Sequence, residues 1–150
     1  MPQSLASLLT HLVFSTKHDE PLIHVGVRDE LHRYAATILQ DLDSSAILIN
    51  SVEDHVHALF ALSKNHALKD VVEKLKTGTS KWIKRRDPML ANFYWQAGCG
   101  AFSVSQSNGA AVTRYIAGQK EHHAKVSFQD EVRLVFRKHR MGFDERYVWD

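Results

Sequence analysis

The sequence holds a single cysteine, Cys99, so it forms no intrachain disulfide, and this usage fits a reducing compartment. Only three prolines and seven glycines occur, and they do not gather into a linker. No repeat or low-complexity tract breaks the chain, so residues 1–150 read as one domain, long enough to bury a real core. No apolar run approaches the length needed to span a bilayer. The N-terminus lacks a basic segment and His11 interrupts its apolar stretch. That argues against a secretory signal and for a cytoplasmic protein with no membrane partner. Neither sign of charge dominates: 19 basic residues face 17 acidic ones, for a net charge of +2. So mild a balance does not demand a nucleic-acid partner, but it permits one wherever basic residues cluster.

What the chain does have is periodicity. Residues 5 to 16, with Leu5, Leu8, Leu9, Leu12, Val13 and Phe14, read as a strand. Residues 26 to 41 read as a helix, because Leu31, Tyr34, Ala35, Ile38 and Leu39 recur at helical spacing. Asp43, Ser44 and Ser45 supply turn chemistry. Residues 46 to 52 and 55 to 62 read as strands joined by a Glu53-Asp54 turn, a link short enough to pair them antiparallel. A long helix over 67 to 86 ends at Asp87-Pro88, and Gly78 predicts a bend or split in its middle. Residues 93 to 104 read as a strand interrupted by glycines. Ser107 or Asn108 caps a helix over 109 to 123, and Ser127 caps another that carries Glu131 and the apolar set Phe128, Val132, Val135 and Phe136. The tail, 145 to 150, reads as a docking strand or arm. The order β-α-β-β-α-β predicts an α+β, ferredoxin-like split βαβ fold. Its four-stranded antiparallel sheet carries helices on one face, with C-terminal helices added, and its third strand is central.

That third strand carries His55-Val56-His57. Side chains on a strand alternate, so both imidazoles point to one face, where they can converge on one metal ion. With 10 histidines in the chain, about one such pair is expected by chance, and two partly buried histidines are the rival reading. A second stretch, Thr113-Arg114-Tyr115-Ile116-Ala117-Gly118-Gln119, places Tyr115 and Gln119 one helical turn apart, within reach of a strand-borne metal. Taken alone, Tyr115 is more often a core-edge residue beside Val112 and Ile116, and Gln119 more often a solvated one. His11 and His66 read as packing or surface residues, and His122 and His123 as exposed, with assistance at the site by one of them as the lesser reading. Glu53 and Asp54 shape the turn, and either can orient a histidine. Lys74, Lys76, Lys81, Lys84, Arg85 and Arg86 crowd the long helix, as a solvated face or as a contact for DNA phosphates. Trp82, Tyr94 and Trp95 offer stacking surfaces for unpaired bases, although packing is the expectation for at least two of them.

In order and separation, Thr10-His11-Leu12-Val13-Phe14-Ser15-Thr16-Lys17, Asp54-His55-Val56-His57-Ala58-Leu59-Phe60 and the Tyr115 stretch resemble the single-tyrosine HUH transposases, the insertion-sequence and REP-associated family. The resemblance runs from about residue 5 to about residue 123. It implies metal-dependent cleavage and rejoining of single-stranded DNA. It makes Tyr115 the nucleophile, His55, His57 and Gln119 the ligands of Mg²⁺ or Mn²⁺, and hairpin-forming DNA ends and a second copy of the chain the partners. Lys74, Lys81, Lys84, Arg85 and Arg86 are the candidate DNA contacts. Cys99 stands where the family pattern leads one to expect an aromatic residue, which alters packing beside the site and touches no catalytic residue. Residues after 123 carry no function readable from the resemblance.

A phenol titrates near 10, so Tyr115 is a weak nucleophile at neutral pH without help. Imidazole and amide ligands suit Mn²⁺ better than Mg²⁺. Two other readings share parts of this pattern. A nucleic-acid-binding module of the same fold needs exposed aromatics and no metal. A hydrolase using water needs His55 and His57 and tolerates loss of Tyr115.

Overall fold

The structure, a computed structural model, describes residues 3–149. Strands β1 (Leu9–Ser15), β2 (Ala46–Ser51), β3 (His55–Ala61) and β4 (Gly100–Ser103) form one antiparallel sheet in the order β2-β3-β1-β4. Helix α1 (Val25–Asp41) joins β1 to β2, and α2 (Leu68–Arg86) joins β3 to β4. Beyond β4 come α3 (Gly109–Ala117), α4 (Gln119–His123) and α5 (Phe128–Lys138). The split βαβ order expected from the sequence is therefore the order observed, with the histidine strand in the sheet interior.

Strand alternation sorts the sheet into two chemistries. Leu12, Phe14, Val56, Ala58 and Phe60 face α1 and α2, whose buried stripes are Val27, Leu31, Ala35 and Leu39 on one and Val71, Val72, Leu75 and Ile83 on the other. Burying each large apolar side chain here contributes about 1.5–3 kcal/mol. The opposite face carries Val13, His55 and His57, and it is closed by Phe102 of β4 and by Phe128 and Phe136 of α5. All seven residues of β1 are buried because both faces of the sheet are covered.

Local chemistry sets several boundaries. Helix α1 ends in a Schellman motif: Ser44 N–H donates to Leu39 O at 2.9 Å and Asp43 N–H to Gln40 O at 3.0 Å. Asp43 takes the left-handed conformation this requires, with φ at 51°. Ser127 caps α5 by accepting from Asp130 N–H at 3.2 Å.

The structure departs from the sequence reading in four places. The first strand starts at Leu9 and leaves Leu5 and Leu8 exposed. The stretch 93 to 104 forms a ladder only from Gly100; before it, an isolated bridge pairs Trp95 with Thr16, and Trp95 packs at the core with its indole N–H on Thr79 Oγ1. Gly78 does not split α2, which runs unbroken from Leu68 to Arg86. A Cβ there would lie 2.6 Å from Ile38 Cδ1, so the glycine serves the close approach of α1 and α2. The helix expected over 109 to 123 breaks at Gly118 into α3 and α4, and neither Ser107 nor Asn108 caps it through a side chain. Of the tail, 145 to 149 forms turns, with Val148 packed against the Phe102–Phe136 cluster; residue 150 lies outside the described residues.

Candidate active site

On β3, His55 and His57 are both fully buried and lie on the face opposite α1 and α2. Each ring is held from behind through Nδ1. His55 Nδ1 lies 2.6 Å from Asp54 Oδ1, and His57 Nδ1 lies 2.8 Å from His11 Nε2 on the neighbouring strand. His123, on α4, repeats the pattern with Nδ1 at 2.7 Å from Val126 O. A carboxylate and a carbonyl accept only, so His55 and His123 each carry a proton on Nδ1. The three Nε2 atoms turn toward one oxygen, Glu131 Oε1, at 3.4 Å from His55, 2.9 Å from His57 and 3.2 Å from His123.

Helix α3 delivers the tyrosine. Ile116, fully buried, anchors the helix. Asn50 of β2 donates to Ile116 O at 2.8 Å and so ties the end of the helix to the sheet. Tyr115 then reaches back over the histidines, and its hydroxyl donates to Glu131 Oε2. Gln119, fully buried, presents Oε1 at 3.4 Å from His55 Nε2 and donates from Nε2 to Glu131 Oε2 at 3.2 Å. His122 Nε2 lies 3.1 Å from that same oxygen. Beside the tyrosine opens a cleft of about 340 Å³, with His11, Ser103, His122, Lys138 and His139 among its walls.

Burial and contact shift the protonation of Glu131, His55, His57, His11 and Tyr115. Burial pushes the Glu131 carboxyl up, but the imidazoles of His123, His55 and His57 outweigh it and hold the group far below the usual carboxylate range. Burial pulls His55 down, yet its bonds to Asp54 and Glu131 win and raise it to about 9. His57 stays below its usual value because burial dominates there. His11 drops to about 3, from burial and from the neighbouring His57. Burial and the Glu131 carboxylate drive the Tyr115 phenol well above its ordinary value.

Does this cluster suit a metal ion? His55, His57, His123 and Glu131 offer ligand atoms all within 4.8 Å of one another. Among the described residues, the buried His123 Nε2 has no aligned hydrogen-bond partner, although a carboxylate oxygen lies beside it. Convergent Nε2 atoms, each with Nδ1 fixed by a supporting group, are what an ion-binding set requires. The residues can hold a metal ion, and imidazole with carboxylate suits borderline divalent cations.

Of the residues singled out from the sequence, His55, His57, Tyr115 and Gln119 come together. Asp54 supports a histidine, one of the two roles open to it. The basic residues of α2 do not join the cluster: they lie across the sheet from it. Lys74, Lys81 and Arg85 are exposed there, whereas Lys84 sits over the Tyr94 ring and Arg86 pairs with Glu30 at 3.1 Å. Lys76 donates to Gln96 O and Gly98 O. Trp82 stacks on Tyr34, while Tyr94 stays exposed.

Three participants escaped the sequence reading. His11, expected in packing or at the surface, supports His57. His123, expected to be exposed, has a side chain only 10% accessible and faces Glu131. Glu131 itself was visible as an oddity: it falls in the α5 stripe of Phe128, Val132, Val135 and Phe136, where a carboxylate is costly unless it has partners.

Residues 4–119 match the family described as "Transposase IS200 like", and the chain belongs to that family. Among solved structures it is similar to a protein of Deinococcus radiodurans R1 whose assignment as a transposase is provisional, with 22% identity and a TM-score of 0.64 over 77% of this chain and 93% of that one. It is also similar to a REP-associated tyrosine transposase bound to a REP hairpin, with 12% identity and a TM-score of 0.62 over 83% of this chain and 73% of that one. At these identities the two structures speak for the fold. No curated protein matches the chain. Among the described residues, no helix is long and apolar enough to cross a membrane.

Proposed function

We propose that this transposase cuts and rejoins single-stranded DNA with Tyr115 as nucleophile, supported by a divalent ion on the histidine cluster, Mn²⁺ in preference to Mg²⁺. The observation that carries this reading is the placement of the Tyr115 hydroxyl on Glu131 Oε2, while the other oxygen of that carboxylate meets His57 Nε2 at 2.9 Å. A phenol beside convergent imidazole nitrogens supports a reading in which that phenol takes part in phosphoryl transfer. When bound, the ion polarises the scissile phosphate and steadies charge developing in the transition state. Tyr115 Oη attacks phosphorus, the bond from phosphorus to the 3′-oxygen breaks, and the phenol proton is lost as the leaving oxygen gains one. The products are a 5′-phosphotyrosine and a free 3′-hydroxyl. Reversal by a different 3′-hydroxyl joins new ends without ATP, because the covalent link conserves the bond energy.

On this reading, His55, His57 and Gln119 serve the ion, and the cleft beside Tyr115 admits the strand to be cut. A hairpin end takes the exposed cationic side of α2, where Lys74, Lys81 and Arg85 are free to meet phosphates and Lys84 and Arg86 lie close by. The chain works as a pair, and its surroundings are cytoplasmic. The REP hairpin bound to one structural neighbour supports the choice of DNA. A base-stacking module gains little support, because α3 and α5 cover the sheet face it would use.

The test mixes protein, Mn²⁺ and a labelled hairpin-bearing oligonucleotide. Wild type retains label on the protein band through denaturing electrophoresis, and Tyr115→Phe does not. Cleaved DNA with no adduct would instead identify water as the nucleophile.

A further inference from the structure

We propose that Glu131 ties the metal site to the nucleophile, binding the ion through Oε1 and gripping the Tyr115 hydroxyl through Oε2. The inference rests on the metal-dependent reading above, and it concerns a residue outside the stretch that matches the family, which ends at residue 119. Its two oxygens do different work. Oε1 is the one atom on which the Nε2 atoms of His55, His57 and His123 converge. Oε2 meets the Tyr115 hydroxyl and the Gln119 side-chain amide.

The surroundings explain why a carboxylate is needed at this position. Glu131 is 1% exposed, and an isolated buried carboxylate is too costly to keep. Its neighbours include imidazoles whose Nδ1 atoms are committed elsewhere, so the faces turned to it are lone pairs or displaceable protons. A cation among them relieves the crowding of lone pairs against a carboxylate oxygen. The Gln119 amide points its N–H group at Oε2, which makes it a clamp on Glu131. Because one carboxylate spans both groups, the position of the tyrosine and the occupancy of the metal site are linked, and the linkage is reciprocal.

The test reads metal binding in the absence of DNA, by calorimetric titration of Mn²⁺ into wild type, Glu131→Gln, Tyr115→Phe and the double variant. Each is first checked for folding by circular dichroism. Glu131→Gln weakens Mn²⁺ binding at least about tenfold, the low end of what losing even a supporting group costs. Tyr115→Phe weakens binding several-fold in wild type and has no further effect once Glu131 is glutamine. Where Glu131→Gln does not fold, Glu131→Asp replaces it in both arms. That variant keeps the charge but draws it back by one methylene, and the same two results are expected. Equal Mn²⁺ affinity in wild type and the Glu131 variant overturns the proposal. So does a Tyr115→Phe effect of the same size in both backgrounds. A wild type that binds no Mn²⁺ removes the metal-dependent reading itself, which separates the two failures.

Discussion

Removing His11 tests whether the site is held from behind. Its Nε2 lies 2.8 Å from His57 Nδ1, and the two rings stack with centroids 5.1 Å apart. His11 is held neutral at neutral pH, since burial and His57 lower it to about 3. Without an ion, His57 gives its Nε2 proton to Glu131 Oε1 and His11 donates to Nδ1. With an ion on Nε2, the His57 proton would sit on Nδ1 and His11 would accept it, so in either state the bond holds the ring in place. His11→Ala strands the buried Nδ1 of His57 without a partner, at a cost of about 1–3 kcal/mol in stability. It also frees the His57 ring to turn, and losing such a support weakens metal binding by about 10–100-fold, equivalent to about 1.4–2.8 kcal/mol. His11→Gln places an amide oxygen near the same position and retains most of both. Urea unfolding in EDTA reads the first quantity, and calorimetric titration with Mn²⁺ reads the second. A His11→Ala variant whose Mn²⁺ affinity stays within about twofold of wild type would refute the argument that ring orientation is fixed by that bond.

Two further outcomes concern the scaffold. Gly78→Ala gains about 1 kcal/mol of helix propensity in an Ile38→Val background, which lacks the atom 2.6 Å from the new Cβ. In the parent it gains nothing or loses, and equal urea-unfolding changes in both backgrounds would contradict the packing argument. Burial lowers the pKa of His32 below its ordinary 6.5 while it bonds Ser51 Oγ at 2.7 Å. The unfolded chain therefore binds this proton first, so stability is present above pH 6.5 and is lost as pH falls toward the lower folded value. His32→Gln flattens that part of the stability profile, and profiles that run parallel between pH 7 and 5 would show that His32 does not contribute.

The sheet order was legible because each strand either alternates or runs apolar and the links between them are short. His55 and His57 share a face for the simplest of reasons, a period of two, and one helical turn carries Tyr115 to Gln119. What hid the rest was tertiary context. His11 sits in a strand buried on both faces, where alternation gives no clue to which side is polar. Gly118 splits the helix that bears Tyr115 from the one that bears His123, so helical spacing does not reveal that His123 turns inward. Gly78 looks like a weak point in one helix until the second helix is packed against it. Glu131 required asking why an acid occupies an apolar stripe, and its partners lie on three other elements.

The account turns on a phosphorus atom being transferred to one phenolic oxygen. Protein trapped on a hairpin oligonucleotide with Mn²⁺, digested with nuclease and trypsin, is read by peptide mass spectrometry. Cleavage after Arg114 and Lys120 releases a peptide of residues 115–120, whose sequence holds one tyrosine and no other hydroxyl side chain. The account predicts that this peptide gains the mass of a phosphonucleotide, placed on Tyr115 by fragmentation. Cut DNA alongside an unmodified peptide, or the added mass on any other residue, would contradict it.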